Sequence, residues 1–230
     1  QHYMPPATHK KGEMLKFEKK AAAIPQVEKT LGFYWTQTFV PDGASFAAGF
    51  FNDAGVAVAT NWCGDIFDAD RMEVKDGGIG YGIRRLIAER AHSAREGVDI
   101  AIDLLKKYGY FHDGRTYTIA DANEAWQIAI HQGNSWAAHR IADNEVVYIP
   151  NVFMMDKVDL NDKANWRIEP GQVERANKDG RHDAKDPIFN WRKIVAQQGV
   201  RHERWNANRN AIAWKFITGD TFNDPEKYPY

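Results

Sequence analysis

The stretch that decides the fold is Asn52-Asp53-Ala54-Gly55-Val56-Ala57-Val58-Ala59-Thr60-Asn61-Trp62-Cys63. Its first four residues are typical of a hairpin turn, and the small apolar residues that follow predict a β-strand. The strand ends on the polar side chain of Asn61, at a position where enzymes often carry working groups. An ordinary hairpin would explain the turn equally well, so the interpretation depends on the rest of the chain.

Working outward, the chain predicts two groups of antiparallel strands with helices between them. The first group is Gly32 to Val40, Ala44 to Phe51 and Val56 to Asn61, with turns at Pro41-Asp42-Gly43 and Asp53-Ala54-Gly55. The second group is Tyr117 to Ala120, Ala125 to His131, Trp136 to Ile141 and Val146 to Ile149. A short strand is also expected within Glu13 to Glu18, followed by a connector from Ala21 to Pro25.

Two helices are predicted between the strand groups. Ile79, Ile83 and Leu86 are spaced by three and four residues, which gives the first helix an apolar face. Ser93 and Glu96 have the spacing of a capping box at the start of the second helix, and Gly109 ends it. The pattern predicts an α+β fold built in layers.

The last third of the chain is less regular. Residues 156–186 are polar and are expected to form a surface excursion. Phe189 to Gln198 predicts a short helix, and Glu203 to Phe216 predicts a helix or a strand. The length of 230 residues suffices for one sizeable core, so we expect one domain over residues 1–230 that is part of a larger protein.

Composition argues against several classes of function. Lys and Arg number 30 against 31 Asp and Glu, and the net charge of -1 gives no electrostatic footprint for nucleic acid. No apolar run approaches the roughly 20 residues that span a bilayer, so no membrane partner is expected. The single cysteine excludes an internal disulfide framework and leaves the compartment open between cytoplasm and export.

Several segments together carry a resemblance to a known family. They are, in chain order, Ile24 to Glu28, Asn52 to Cys63, Ser93 to Val98, Arg115 to Trp126 and Asn144 to Asn151. As an ordered set, they resemble the cysteine dipeptidases of the dipeptidase A type, which belong to the N-terminal-nucleophile hydrolase superfamily. The resemblance runs from about Gly12 to Asp159 and weakens after that.

This resemblance implies a fold and a mechanism. The implied fold is an αββα four-layer sandwich of two antiparallel sheets between helices, present here in part. In the family, a processed N-terminal cysteine attacks the scissile amide, and its own α-amino group accepts the proton. Residue 1 is Gln here. We therefore expect the chain to be an internal fragment whose nucleophile lies upstream, and the 1–230 polypeptide alone to be inactive.

The resemblance also suggests site residues. Hydrolysis of an amide passes through an anionic intermediate, which needs fixed hydrogen-bond donors. Asn61 and Asn151 match two asparagines that lie beside the nucleophile in related amidases, although both could instead cap turns. Arg204 resembles a late family arginine that would orient the nucleophile or bind a substrate carboxylate, and a plain surface arginine is the alternative.

Trp62 and Cys63 are candidates for substrate contact. Trp62 could line a hydrophobic subsite or belong to the core, and Cys63 is expected to be structural or to line the pocket. Cys63 is not expected to be the nucleophile, because it has no N-terminal amine of its own. The glycines from Gly78 to Gly82 are interpreted as a helix entry, because they lack a complete phosphate-loop pattern.

The sequence predicts no metal centre and no cofactor. The acidic residues Asp65, Asp68, Asp70 and Glu73 lack the glycine of a calcium loop and are expected in a solvated loop. The histidines show no HExxH or other paired metal spacing, which argues against a zinc hydrolase.

Three functions remain open at this point. The first is a cysteine-type dipeptidase that hydrolyses short peptides, the expected partners. The second is an acylase of nonpeptide amides in the same superfamily, and the third is a noncatalytic structural or binding protein with the same fold. Homo-oligomerisation is left open.

Overall fold

The turn at Asn52 joins two strands and is fixed against a helix. Its Oδ1 accepts hydrogen bonds from the backbone N–H groups of Ala54 and Val56 (3.1 and 2.9 Å), and its Nδ2 donates to the carbonyl oxygens of Ala88 and Ala91 (3.0 and 2.8 Å). Asn52 is buried, and these bonds satisfy its side chain. The turn is therefore both a hairpin and a clamp between the sheet and a helix end.

The computed structural model describes residues 2–39, 45–66 and 73–228, and it has an α+β architecture. The strands are β1 (His2–Met4), β2 (Ala7–Thr8), β3 (Met14–Leu15), β4 (Ile24–Pro25), β5 (Lys29–Thr30), β6 (Phe33–Phe39), β7 (Ser45–Asn52), β8 (Ala57–Trp62), β9 (Arg115–Ala120), β10 (Ala125–His131), β11 (Ser135–Ile141), β12 (Val158–Asp159), β13 (Trp166–Ile168) and β14 (Ile188–Phe189). The helices are α1 (Gly82–Arg90), α2 (Ala94–Tyr108), α3 (Pro170–Lys178), α4 (Trp191–Val195) and α5 (Arg204–Thr218). Short 3-10 helices occupy Val200–His202 and Pro225–Lys227.

Both predicted groups of strands belong to one antiparallel sheet. Its eight strands have the order β1-β6-β7-β8-β9-β10-β11-β13. The two groups meet where β8 pairs with β9, with Asn61 opposite Thr116. The α+β class is thus confirmed, whereas the two large sheets of the expected sandwich are not both present in residues 2–39, 45–66 and 73–228. The other sheets in those ranges have two strands each.

The two central helices follow their sequence signals closely. Ser93 Oγ accepts a hydrogen bond from Glu96 N at 3.1 Å, and Gly109 ends α2 with a φ of 72°. The Glu96 carboxylate accepts from His92 N at 2.7 Å, which is a variation on the reciprocal capping box. The glycine-rich stretch leads directly into α1 at Gly82, as the helix-entry interpretation predicts.

One face of the main sheet, which we call the helix-covered face, packs against α1 and α2. Cross-strand partners that point to this side are largely buried, and they are Trp35, Phe50, Val58, Ile119 and Trp126. Together with the apolar residues of both helices, they form the larger hydrophobic core. Burial of so much apolar area is the dominant stabilising contribution in this half of the molecule.

The opposite side of the sheet, the second face, is covered unevenly. Near β1, β6 and β7 it is open, and the Tyr34 and Phe51 side chains there are 51% and 52% exposed. Near β10 and β11 it is covered by the later part of the chain, and a second core forms there around Ala129, Ala137 and Trp191. Asn61 lies on this second face, because side chains alternate along β8.

Two predictions for the later chain differ from the structure. Val146 to Ile149 is not a strand, because the outer edge of β11 is already paired with β13. Residues 156–186 are not simply a surface excursion, since they include β13 and α3 and bury Val158 and Ala176. The short-helix prediction at Phe189 to Gln198 is confirmed by α4, and α5 settles the helix-or-strand alternative as a helix.

Two further predictions concern residues outside the described ranges. The turn at Pro41-Asp42-Gly43 lies there, as do Asp68 and Asp70 of the acidic group. Within the described ranges, no helix has the length and apolar character that a membrane span requires.

Candidate functional site

Asn61 lies near the end of β8, where the strand leaves the hydrogen-bonded sheet. Its side chain is half-buried, and its Nδ2 donates a hydrogen bond to the carbonyl oxygen of Ile149 at 3.0 Å. An asparagine amide has two N–H donors, and this contact uses one of them. The strand end therefore presents a donor that is held in place by a segment distant in sequence.

Asn151 lies directly beside it, although it is not at the end of a strand. Its side-chain Nδ2 donates to the backbone carbonyl oxygen of Trp62 at 3.0 Å, and its backbone carbonyl oxygen accepts from Gly64 N at 3.4 Å. The two asparagines thus cross-link the same pair of segments, since Asn61 bonds to the residue two before Asn151. The sequence places them 90 positions apart, and the fold brings them together.

The helix α5 completes one side of this group. Arg209 Nη1 donates to Asn151 Oδ1 at 2.7 Å, and Asn206 Oδ1 accepts from Asn151 N at 3.1 Å. Because the Asn151 oxygen accepts from Arg209, its Nδ2 must point the other way, towards β8. The orientation of the amide is consequently fixed by a charge-assisted hydrogen bond.

Two tryptophans flank the asparagines. The rings of Trp62 and Trp205 are nearly parallel, at 14°, with centroids 6.2 Å apart. The guanidinium carbon of Arg209 lies 5.1 Å from the centroid of the Trp205 ring, within the range of a cation–π contact. Trp205 remains 40% exposed. The group therefore offers aromatic surface and a positive charge to solvent beside the two half-buried asparagines.

Cys63 follows on the same strand end but is turned inward. It has no exposed surface, and its Sγ lies 3.3 Å from Thr116 Oγ1. Burial raises the pKa of the Cys63 thiol to about 12, and the hydrogen bond to Thr116 opposes this only in part. The thiol is neutral near pH 7 and belongs to the second core. It would need a rearrangement to touch a substrate.

Arg204, the arginine selected from the sequence, is the first residue of α5 and is exposed. In the described ranges, no hydrogen bond, ion pair or ring contact joins it to Asn61 or Asn151. Arg209 makes that contact instead, and sequence reasoning missed it. The available signal was the helical spacing of Trp205, Arg209, Ile212 and Phe216, which predicts that they share one face of α5.

Among the acidic candidates, Asp65 has structural partners. Asp65 Oδ2 accepts from Gly114 N at 2.9 Å and lies 2.8 Å from His131 Nδ1. Asp65 thereby ties β8 to the segment before β9. Over the described parts of the chain, no group of three or more His, Cys, Asp or Glu side chains is arranged to hold a metal ion.

Comparison with known proteins adds family information to this geometry. The model of "Peptidase family C69" matches residues 22–229. A "Probable dipeptidase" of Latilactobacillus sakei is 25% identical over 233 residues, which cover 97% of this chain and 48% of the relative. A "Probable dipeptidase" of Salmonella dublin is 26% identical over 209 residues, covering 89% and 48%. The chain thus spans about half the length of these relatives.

A third relative and a solved structure complete the comparison. A "Probable dipeptidase B" of Streptococcus pyogenes serotype M1 is 29% identical over 160 residues, covering 68% of this chain and 29% of the relative. The structure of penicillin V acylase from Agrobacterium tumefaciens has a TM-score of 0.32 and 9% identity, covering 48% of this chain and 41% of that one. A likeness of that size carries no argument.

Proposed function

The chain belongs to peptidase family C69, and on this premise we propose that it forms part of a cysteine-type dipeptidase that hydrolyses short peptides. The observation that carries the proposal is the meeting of Asn61 and Asn151 at the end of β8. The similarity to proteins named as dipeptidases supports it along most of the chain.

The two asparagines are proposed to stabilise the charged intermediate. When a nucleophile attacks the scissile carbonyl, negative charge collects on the carbonyl oxygen. Each amide makes one hydrogen bond as donor to a backbone carbonyl, which fixes its direction and leaves a second N–H. A rigid donor that needs no reorganisation during the reaction is the requirement for this kind of stabilisation.

The proposed nucleophile is an N-terminal cysteine in the intact protein, upstream of residue 1. Its thiol proton passes to the α-amino group, whose unperturbed pKa of roughly 7.7 to 8 suits proton acceptance near neutrality. The sulfur forms a bond to the carbonyl carbon, the amide C–N bond breaks, and the leaving amine takes up the proton. Water then hydrolyses the thioester. Burial and the raised pKa of Cys63 support assigning the nucleophile elsewhere.

The finer fold proposed for the intact protein is the αββα sandwich, with a second sheet lying on the second face near β6 and β7. The exposed side chains there are large and apolar, notably Tyr34 and Phe51. Their neighbours across the sheet are small, namely Ala57, Ala120 and Ala125. A flat apolar surface of this kind is suited to packing against another sheet at about 10 Å.

The function is tested with the intact protein carrying Cys63→Ala, so that the only thiol of residues 1–230 is removed. Hydrolysis of dipeptides, followed by release of free amino acids, should persist in EDTA and be abolished by iodoacetamide. Activity that EDTA removes and zinc restores would contradict the proposal. So would activity that survives complete alkylation of the remaining thiols.

A further inference from the structure

Arg209 has more hydrogen-bonding capacity than its contact with Asn151 uses. The guanidinium carries five N–H donors in a rigid fork, and one nitrogen bonds to Asn151 Oδ1 at 2.7 Å. The residue is exposed, and no carboxylate in the described parts of the chain forms an ion pair with it. The rest of the fork is open to solvent beside the candidate site.

The position of this charge is fixed from two sides. Asn151 holds one edge of the guanidinium, and the Trp205 ring lies beneath it with 5.1 Å between the guanidinium carbon and the ring centroid. Trp205 is in turn stacked on Trp62. An arginine oriented in this way loses little freedom when it binds a planar anion, which makes it suited to bidentate recognition of a carboxylate.

The distance between the scissile carbonyl and a substrate carboxylate then determines whether that carboxylate can reach Arg209. In a dipeptide the α-carboxylate lies one residue, roughly 3.5 Å, beyond the scissile carbonyl. Arg209 touches the amide of Asn151, which the proposed function assigns to the scissile oxygen. Arg209 bonds to the oxygen of the amide whose nitrogen is the proposed oxyanion donor, so the cation lies next to the site where the scissile carbonyl would bind. A longer peptide would bring a neutral amide to the same place.

We propose that Arg209 binds the free α-carboxylate of the substrate and thereby restricts the enzyme to dipeptides. This inference rests on the proposed function and goes beyond it, because it assigns the choice of peptide length to one side chain. Arg209 is a specificity-determining residue in this scheme. Its bond to Asn151 couples carboxylate recognition to the position of the oxyanion donor.

The test compares two substrates in the intact protein: a dipeptide and the same dipeptide with its carboxylate converted to an amide. The wild type should show a kcat/KM for the free acid that is about 10- to 100-fold higher, the range expected for a hydrogen bond to a charged group. Arg209→Gln should lose this preference: kcat/KM should fall for both substrates, because Asn151 loses its bond to Arg209, and it should fall further for the free acid. Lys215→Gln, which removes a positive charge from the same helix, should retain it.

The other outcomes are distinct from this one. If Arg209→Gln lowers kcat/KM equally for both substrates, Arg209 only positions Asn151 and the inference is overturned, while the dipeptidase function stands. A wild type that cleaves both substrates equally well also overturns the inference alone. If the wild type cleaves no short peptide, the proposed function fails and the inference fails with it. Arg209→Lys, which keeps the charge without the fork, should recover part of the preference and guards against misfolding of Arg209→Gln.

Discussion

The two faces of the main sheet are built from the same strands but differ in how deeply their side chains are buried. On the helix-covered face, Phe50, Val58 and Ile119 are buried against α1 and α2. On the second face, the adjacent residues Phe51 and Ala57 are exposed or half-exposed, and the strand ends with the half-buried amide of Asn61. Because side chains alternate along a strand, residues that stabilise the core and residues of the candidate site follow one another in sequence.

Asn52 and Asn61, which lie in the same stretch of sequence, differ in the same way. Asn52 points to the helix-covered face, and its oxygen and nitrogen make four hydrogen bonds to backbone groups of the turn and α1. The Asn61 side chain points to the second face and, among the described residues, makes one hydrogen bond. In sequence, each asparagine could either cap a turn or belong to a site. The number of hydrogen bonds that its side chain makes in the folded protein separates the two cases.

The largest expected effect tests the contrast in burial. In the 1–230 polypeptide, Leu86→Ala on the fully buried face of α1 should reduce the free energy of unfolding by about 2 to 5 kcal/mol, because it leaves a cavity in the larger core. Phe51→Ala on the second face should cost less than about 1 kcal/mol. Urea unfolding measures both. Equal losses in the free energy of unfolding would contradict the expected difference and would show that the two faces are equally packed.

A smaller effect is expected from substituting the two asparagines, and it should change kcat for Asn61 and the stability of the fold for Asn52. In the intact protein, Asn61→Ala should lower kcat by roughly 100- to 1000-fold with a modest change in KM, because it removes a donor to the transition state. Asn52→Ala, the matched control, should leave kcat near the wild-type value and destabilise the fold through its lost hydrogen bonds. Steady-state kinetics and thermal unfolding of both variants provide the measurement. A nearly normal kcat in Asn61→Ala would return this residue to a turn-capping role.

The smallest effect concerns the covered part of the second face, at Cys63. Burial raises the pKa of the thiol from 9.0 to about 12, so the folded state keeps its proton where the unfolded state loses it. The thiol's contribution to stability is therefore complete below about pH 9 and is lost as the pH rises towards 12. Between pH 8 and pH 10 the wild type should lose about 1.4 kcal/mol that Cys63→Ala does not lose.

Urea unfolding of both proteins at the two pH values measures this difference, and other titrating groups cancel between them. Parallel losses in wild type and Cys63→Ala would show that the folded thiol ionises normally. In that case Cys63 would be open to solvent, and its exclusion as a nucleophile would have to be reconsidered.

The sequence by itself determined the features that depend on neighbouring residues. The turn at Asn52, the cap at Ser93, the stop at Gly109 and the consecutive strands around them follow from side-chain hydrogen bonding, glycine conformation and apolar spacing. The family was also within reach, because its motifs are local stretches in a fixed order. Asn61 and Asn151 could be named as candidates on the same basis.

Only the tertiary structure decided which distant groups meet. Pairing of β8 with β9 placed both strand groups in one sheet, and pairing of β13 with β11 left Val146 to Ile149 without a strand to join. The contact between Arg209 and Asn151 depends on the rotation of α5 about its axis, and the burial of Cys63 depends on the chain that covers the second face. These outcomes come from contacts between residues far apart in sequence, which local propensity and spacing do not encode.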